Sequence, residues 1–295
     1  MRRLSLVVTC TDRKAVSPEA SLQARSLPAG SVRERATLWT ERVRRAPRRK
    51  SLTELYRGDH WTQAQHLCEA AAKAGFEADL WVASAGLGLQ PVSAAAPSYA
   101  ATFSTRHADS VVTTAGGSAQ WWGHIQAGTG HATIQELGKT GPVLMVLSEV
   151  YAKAMDAELR ALATVASEAL LFGGTEEVAG IHRVPADAGL RRSLGGTLTS
   201  LNVRMAAAWL QHCEDRQLTS LATRDSWMKW ATAESNPEKH NRKPMSDDEV
   251  VAFIRQQFAS RPESSRTRLL RLLRGQGRAC EQSRFAKLYI QTMGE

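Results

Sequence analysis

Two apolar runs, each ending abruptly in a polar or glycine-rich turn, constrain this chain most. Leu4 to Cys10 runs into Thr11, Asp12, Arg13 and Lys14, and Leu80 to Ala83 runs into Ser84, Ala85, Gly86, Leu87, Gly88 and Leu89. Strand-length apolar runs that alternate with amphipathic stretches give the βα order of an open α/β sheet. In such a sheet, loops converge in the crevice outside the carboxyl ends of neighbouring strands while the strands stay rigid. The two turns are therefore the first place to look for a site.

Residues 59 to 74 read as a helix, with Trp61, Ala64, Leu67, Cys68 and Ala71 on one face and Gly75 as its stop. Further strands are expected at Ser110 to Thr113, Pro142 to Ser148 and Ala169 to Phe172, with an edge strand near Ile181 to Val184. Helices are expected around Trp121, Trp122 and Ile125, and from about Tyr151 to Val165. The predicted fold class is α/β, a mostly parallel sheet of about five strands flanked by helices. Gly195, Gly196 and Thr197 lead into a helix that carries Asn202 and ends near Cys213. Glycines there let backbone amides approach an anion or a sugar hydroxyl, and close packing accounts for them equally.

Residues 15 to 50 are polar and basic, carrying Arg33, Arg35, Arg42, Arg44, Arg45, Arg48, Arg49 and Lys50. They are expected to form an inserted arm, either a solvated surface or a track for phosphates. Beyond about Glu214 the strand pattern is lost, so the chain divides into an α/β domain, 1–213, and a helical domain, 214–295. Asp247 to Phe258 reads as an amphipathic helix behind Ser246 as N-cap. Ser265 to Arg274 and Arg278 to Met293 read as two helices joined by a Gly275 to Gly277 turn, similar to a helix-turn-helix. This pair carries Arg266, Arg268, Arg271, Arg274, Arg278, Arg284 and Lys287 against a single Glu281, a bias that suits nucleic acid.

Lys and Arg number 38 against 29 Asp and Glu, a formal charge of +9, which favours a polyanionic partner. Cys10, Cys68, Cys213 and Cys280 are too far apart for a structural zinc or redox motif, so a reduced cytoplasmic protein without a metal or other cofactor is expected. No apolar run is long enough to span a bilayer, and no membrane partner is expected.

Near the second turn lie Tyr99, Thr102, Phe103 and, before the third expected strand, Asp109. An enzyme that acts on a nucleobase extrudes it and holds it between an aromatic face and hydrogen-bonding groups. Tyr99 or Phe103 would supply the face, and Thr11, Ser84, Thr102, Asn202 and the amides of Gly86 and Gly88 would read the base or sugar. Cleavage of an N-glycosidic bond passes through an oxocarbenium-like sugar that a carboxylate stabilises while it orients water. Asp12 and Asp109 are the candidates, and His107 or His124 could serve the leaving base. Arg13, Lys14, Arg48, Arg49, Arg268, Arg271, Arg278 and Arg284 are the candidate phosphate contacts. Trp121 and Trp122 cannot both face one side of a helix, so one of them is expected to stack or wedge at a DNA surface.

The runs VVTCTDRK, YRGDHW, LWVASAGLGL and PSYAATFS resemble a bacterial family of α/β domains related to the peroxide-stress DNA-binding proteins and the archaeosine-synthase core, a remote branch of the uracil-DNA-glycosylase-like fold. The resemblance covers roughly residues 4 to 115. It implies a glycosylase that excises a modified, glucosylated hydroxymethyl cytosine from double-stranded phage DNA, with Asp12 at the place of the water-activating aspartate. The local pattern departs from the Gly-Gln-Asp-Pro-Tyr-His type of loop, because Thr11 to Lys14 lack its proline and aromatic. Base exchange on DNA or RNA, and a DNA-binding module without chemistry, remain alternatives.

Overall fold

A computed structural model describes residues 2–47, 49–114, 116–236, 243–260 and 263–293. The chain divides into two compact units, Met1–Asn236 and Pro237–Glu295. The first is built on a six-stranded sheet of β1 (Arg2–Thr9), β2 (Phe76–Ser84), β3 (Gly88–Pro91), β4 (Val143–Leu147), β5 (Ala169–Gly173) and β6 (His182–Val184). The strand order is β3-β2-β1-β4-β5-β6. β2, β1, β4, β5 and β6 run parallel, and β3 pairs antiparallel with β2. All five residues of β4 and of β5 are buried, as is β1 from Leu4 onward. Parallel strands covered on both faces need such continuous apolar runs.

Eight helices of more than five residues flank this sheet among the described residues: α1 (Val32–Arg45), α2 (Asp59–Lys73), α3 (Gly117–Thr129), α4 (Ile134–Thr140), α5 (Glu149–Ala154), α6 (Asp156–Ala163), α7 (Leu201–Leu210) and α8 (Leu221–Glu234). α2 packs on α7 and on β2, while α1 packs on α3, and α3 on β3 and α5. The expected helix from Tyr151 to Val165 is thus two short ones that meet at Met155. Among the described residues, no helix is long and apolar enough to cross a membrane.

Three expectations are corrected. Ser110 to Thr113 is no strand of the sheet; Ser110 forms one isolated bridge with Thr102 and the chain continues irregularly. An unexpected strand, β3, joins the sheet antiparallel; its sequence GLQP carries no strand signature and is held by its pairing with Trp81 to Ser84. The basic stretch 15 to 50, expected as an inserted arm, is integrated into the domain. Its α1 begins in a capping box, in which Ser31 and Glu34 satisfy each other's backbone amides, a device that stabilises by about 1 kcal/mol. That helix buries Val32, Ala36, Trp39 and Val43 at helical spacing. Three of its five arginines bond backbone carbonyls: Arg42 donates to Ser21 O, Arg44 to Gly128 O, and buried Arg35 to Val111 O.

The unit boundary also falls later than residue 213. Trp227 of α8 packs against Trp209 of α7 and Phe172 of β5 at ring distances of 5.4 and 6.2 Å, so α8 belongs to the first core. In the second unit α9 (Asp247–Ser260), α10 (Arg266–Gly275) and α11 (Gln282–Met293) enclose Val250, Ile254, Leu269, Leu273 and Phe285. The helical pair α10 and α11 is present, but a two-residue strand, Arg278–Ala279, lies between them and pairs parallel with Lys243–Pro244.

Candidate functional site

The sheet sets where loops converge. From β1 the chain moves to β2 on one side, and after the β3 hairpin it crosses to β4 on the other. The crevice outside the carboxyl ends of β1 and β4 is therefore the topological switch point. Cys10, Thr11, Asp12, Arg13 and Lys14 leave β1 there, and the Ser84 end of β2 lies beside them, with Cys10 N–H donating to Ala83 O at 2.9 Å. The two junctions singled out in the sequence share one edge.

Beneath that edge is a buried hydroxyl chain. The Tyr99 hydroxyl sits 2.5 Å from Ser84 Oγ and 2.7 Å from the Tyr56 hydroxyl, and the Tyr151 hydroxyl accepts from Ala85 N–H and lies 3.2 Å from Cys10 Sγ. Burial pushes the Tyr56, Tyr99 and Tyr151 phenols well above their usual range, so they are neutral hydrogen-bonding groups. Lys14 closes the chain from above. Its Nζ lies 4.3 Å from the Tyr99 ring centroid and donates to Thr11 O at 3.1 Å. Burial, the largest cause, lowers the Lys14 ammonium below the usual lysine range despite Cys10, Asp12 and Asp109 nearby.

The two candidate carboxylates have opposite surroundings. Asp12 has a side chain 79% exposed, and its Oδ1 lies 4.0 Å from His107 Nε2. Asp109 is 1% exposed and locked to Arg25, which donates from its backbone N at 3.2 Å, from Nε at 2.8 Å and from Nη2. The Arg25 hydrogen bonds hold the Asp109 carboxyl below its usual range. This pairing ties the 107–110 turn to the 24–26 turn. Asp109 N–H also donates to His107 Nδ1 at 3.0 Å. With Nδ1 accepting, the neutral ring carries its proton on Nε2, the nitrogen that faces Asp12.

Several nominated groups are engaged inward. The Gly86 amide donates to Ser84 Oγ, Gly86 O accepts from Trp39 Nε1, and Ala85 O accepts from Trp121 Nε1. A Cβ at Gly86 would lie 2.6 Å from the Tyr99 ring, so glycine there admits the close approach of that ring. Gly88 is buried at the hairpin return into β3. The turn after β2 is thus a packed hairpin, because β3 folds back where a ligand loop was expected. Tyr99 and Phe103 are 1% exposed, and Phe103 stacks edge-on against Tyr151, so neither presents a face to a base. Thr11 Oγ1 donates to Arg13 O, and Thr102 Oγ1 accepts from Ser104 N–H.

Trp121 and Trp122 are both buried, at 0% and 3% exposure, which corrects the expected surface indole. α3 is covered on two sides: Trp121 turns to Trp39 of α1, and Trp122 donates to Glu158 of α6 at 2.7 Å. Among the basic candidates, Arg13 is exposed, Arg49 donates to the carbonyls of Val43, Arg44 and Ala95, and Arg48 lies outside the described residues. In the second unit Arg284 pairs with Asp247, and Arg278 stands 4.0 Å from Glu249, whereas Arg268 and Arg271 are exposed on α10.

Other residues reach the edge without having been nominated. His60 Nε2 meets Thr9 O at 3.1 Å, and its buried Nδ1 has no partner among the described residues. Asp59 accepts from Ser200 Oγ at 2.5 Å and from Arg204 at 2.8 Å, and the Ser200 bond is the chief reason its carboxyl is held low. This draws the Thr197–Ser200 turn to the edge. A Cβ at Gly173 would meet Asn202 Nδ2 at 2.6 Å, which puts Asn202 at the end of β5. The run YRGDHW held the available signal for Tyr56, Asp59 and His60, whereas Arg25 and Tyr151 had none.

A cleft of about 480 Å³ opens two residues beyond Lys14, lined by Val16, Leu22, Arg49, Lys50, Pro97 and Ser98. A cleft of about 530 Å³ at Gly75 and Arg216 lies toward the start of β2 and holds none of the nominated residues. Among the described residues, no group of three His, Cys, Asp or Glu is arranged to hold a metal ion. Comparison with protein-family models, with curated proteins and with solved structures returns no match.

Proposed function

We propose that this chain is a DNA glycosylase that hydrolyses the N-glycosidic bond of a modified cytosine in phage DNA, with Asp12 as its carboxylate. One observation carries the reading: Asp12 stands exposed at the switch point, in an edge where Arg13, Arg57 and His107 are also accessible to solvent. An ionised carboxylate there stabilises an oxocarbenium-like sugar and orients water toward C1′. His107, with Nε2–H toward Asp12, is placed to steady that carboxylate or to serve the departing base. Arg13 and Arg57 supply cations for the flanking phosphates, and the exposed arginines of α10 add a second set. The bulky, glucosylated class of base follows from the resemblance of VVTCTDRK and LWVASAGLGL.

Incubation with phage genomes that carry glucosylated hydroxymethyl cytosine is expected to release free base and leave alkali-labile sites, and unmodified DNA is not. Asp12→Asn is expected to lower base release about 10² to 10⁴-fold, the usual range for a positioned acid or base, with DNA affinity retained. Intact binding without any base release by the native chain overturns the reading. The burial of Tyr99 and Phe103 favours a second reading, a DNA-binding module without chemistry. On that reading Asp12→Asn has no turnover to remove.

A further inference from the structure

Lys14 is the group at the edge whose surroundings exceed what packing needs. A lysine on a loop ordinarily extends into water or pairs with a carboxylate. This one is folded back, with Nζ 4.3 Å from the Tyr99 centroid and 5.7 Å from the Tyr56 centroid. Its hydrogen bonds go to the carbonyls of Thr11 at 3.1 Å and Asp12 at 3.5 Å, while the Asp12 carboxylate turns to His107 instead. The side chain is nevertheless only partly buried, so Nζ is withdrawn from bulk water without being sealed off. It sits in the loop that leaves β1, two residues from Asp12 and at the same strand ends.

We propose that Lys14 is an amine nucleophile that captures the aldehyde of a ring-opened abasic deoxyribose in DNA and cleaves the strand through the resulting imine. The inference rests on the reading of this edge as an N-glycosidic site, since that reaction leaves the aldehyde as its product. The neutral Nζ lone pair adds to C1′, and the carbinolamine loses water to give the imine. The imine acidifies C2′, whose proton passes to Asp12, an exposed carboxylate two residues from Lys14. The C3′–O bond then breaks, and the 3′ phosphate leaves with the electron pair. Water hydrolyses the imine, restores the Lys14 amine and frees an unsaturated aldehyde on the cut strand. Water is the only co-reactant. Burial shifts Lys14 toward the neutral amine, the form that can attack a carbonyl.

The test uses the full chain and a duplex oligonucleotide with a preformed abasic site, with cyanoborohydride to reduce any imine. The expected result is a covalent protein–DNA adduct whose modified peptide, by mass spectrometry, carries the sugar on Lys14. Lys14→Arg keeps a cation over Tyr99 but cannot form the imine, and it is expected to lose the adduct. No adduct with the native chain, an adduct mapped to another residue, or undiminished trapping by Lys14→Arg overturns the inference. Mapping on the native chain decides the matter even where the variant fails to fold. Because the abasic site is supplied, absence of trapping removes only the role of Lys14. Trapping without base release from modified DNA removes only the hydrolase reading.

Discussion

Asp12 and Asp109 lie on either side of His107, and their partners separate their roles. Asp109 is buried and its charge is compensated by Arg25, while the Arg25 side chain remains 53% exposed. Removing one partner of a pair is costly in proportion to how buried the survivor is. Arg25→Ala, which strands a buried carboxylate, is therefore expected to lower the thermal midpoint more than Asp109→Asn, which leaves a guanidinium that water can reach. The acid limb follows from the same pair. A carboxyl held low in the fold contributes stability that is present above its unfolded pKa, near 3.9, and is lost as pH falls through the folded value. In Arg25→Ala that contribution is already missing above about pH 4, so the variant enters the acid range less stable and acid unfolding, followed by circular dichroism, is expected to begin at a higher pH than in the native chain. The sequence made both aspartates visible, because each stands at a turn beside a β-branched or apolar run. It could not rank them, since Arg25 lies 84 residues from Asp109 and only the fold brings them together.

The strands most legible from sequence were those whose apolar runs are buried on both faces, because composition alone marks them. β1, β4 and β5 fall within a residue or two of their expected bounds. β3 escaped because an edge strand that opens on glycine and ends on proline is defined by its partner, and Ser110 to Thr113 misled because β-branched residues also suit an extended loop. α1 was hidden under its charge: Arg35, Arg42 and Arg44, which look like part of a phosphate track, bond backbone carbonyls, and the apolar positions 32, 36, 39 and 43 carried the true signal. The same bookkeeping applies to the second unit. Arg284 and Arg278 face Asp247 and Glu249 at the start of α9, whereas Arg268 and Arg271 lie one turn apart on the exposed side of α10. A lysine or arginine that neutralises a phosphate releases counterions, and its loss flattens the salt dependence of binding by about one unit of log–log slope. Arg268→Ala and Arg271→Ala are each expected to show that change in affinity measured across a salt series. Arg284→Ala is expected to show less, because its charge is already spoken for by Asp247.

Charge and core are divided differently between the two units, and a truncation series reads both. Residues 237–295 carry 12 Lys and Arg against 7 Asp and Glu, so a fifth of the chain holds more than half of its net charge of +9. The first unit keeps the sheet, the Asp12 edge and the tryptophan cluster that closes on α8. Within that cluster Trp209 Nε1 donates to Leu218 O at 2.9 Å, and Trp227 covers Trp209 and Phe172. A chain that stops at residue 213, where the strand pattern ends, lacks both Leu218 and Trp227 and leaves those aromatic faces in water. Exposing one large core aromatic forfeits roughly 3 to 5 kcal/mol, a large share of the 5 to 15 kcal/mol that holds a domain together. The 1–213 fragment is therefore expected to bind a hydrophobic dye and lack near-ultraviolet tryptophan dichroism. The 1–236 fragment, which retains α8, is expected to keep that dichroism and a cooperative melt. If the arginines of α10 contribute the phosphate grip, 1–236 also loses DNA affinity and shows a flatter salt slope, while any base release at saturating DNA persists because Asp12 and its edge lie wholly within it. Loss of base release at saturation, with the melt intact, would instead assign part of the chemistry to residues 237–295.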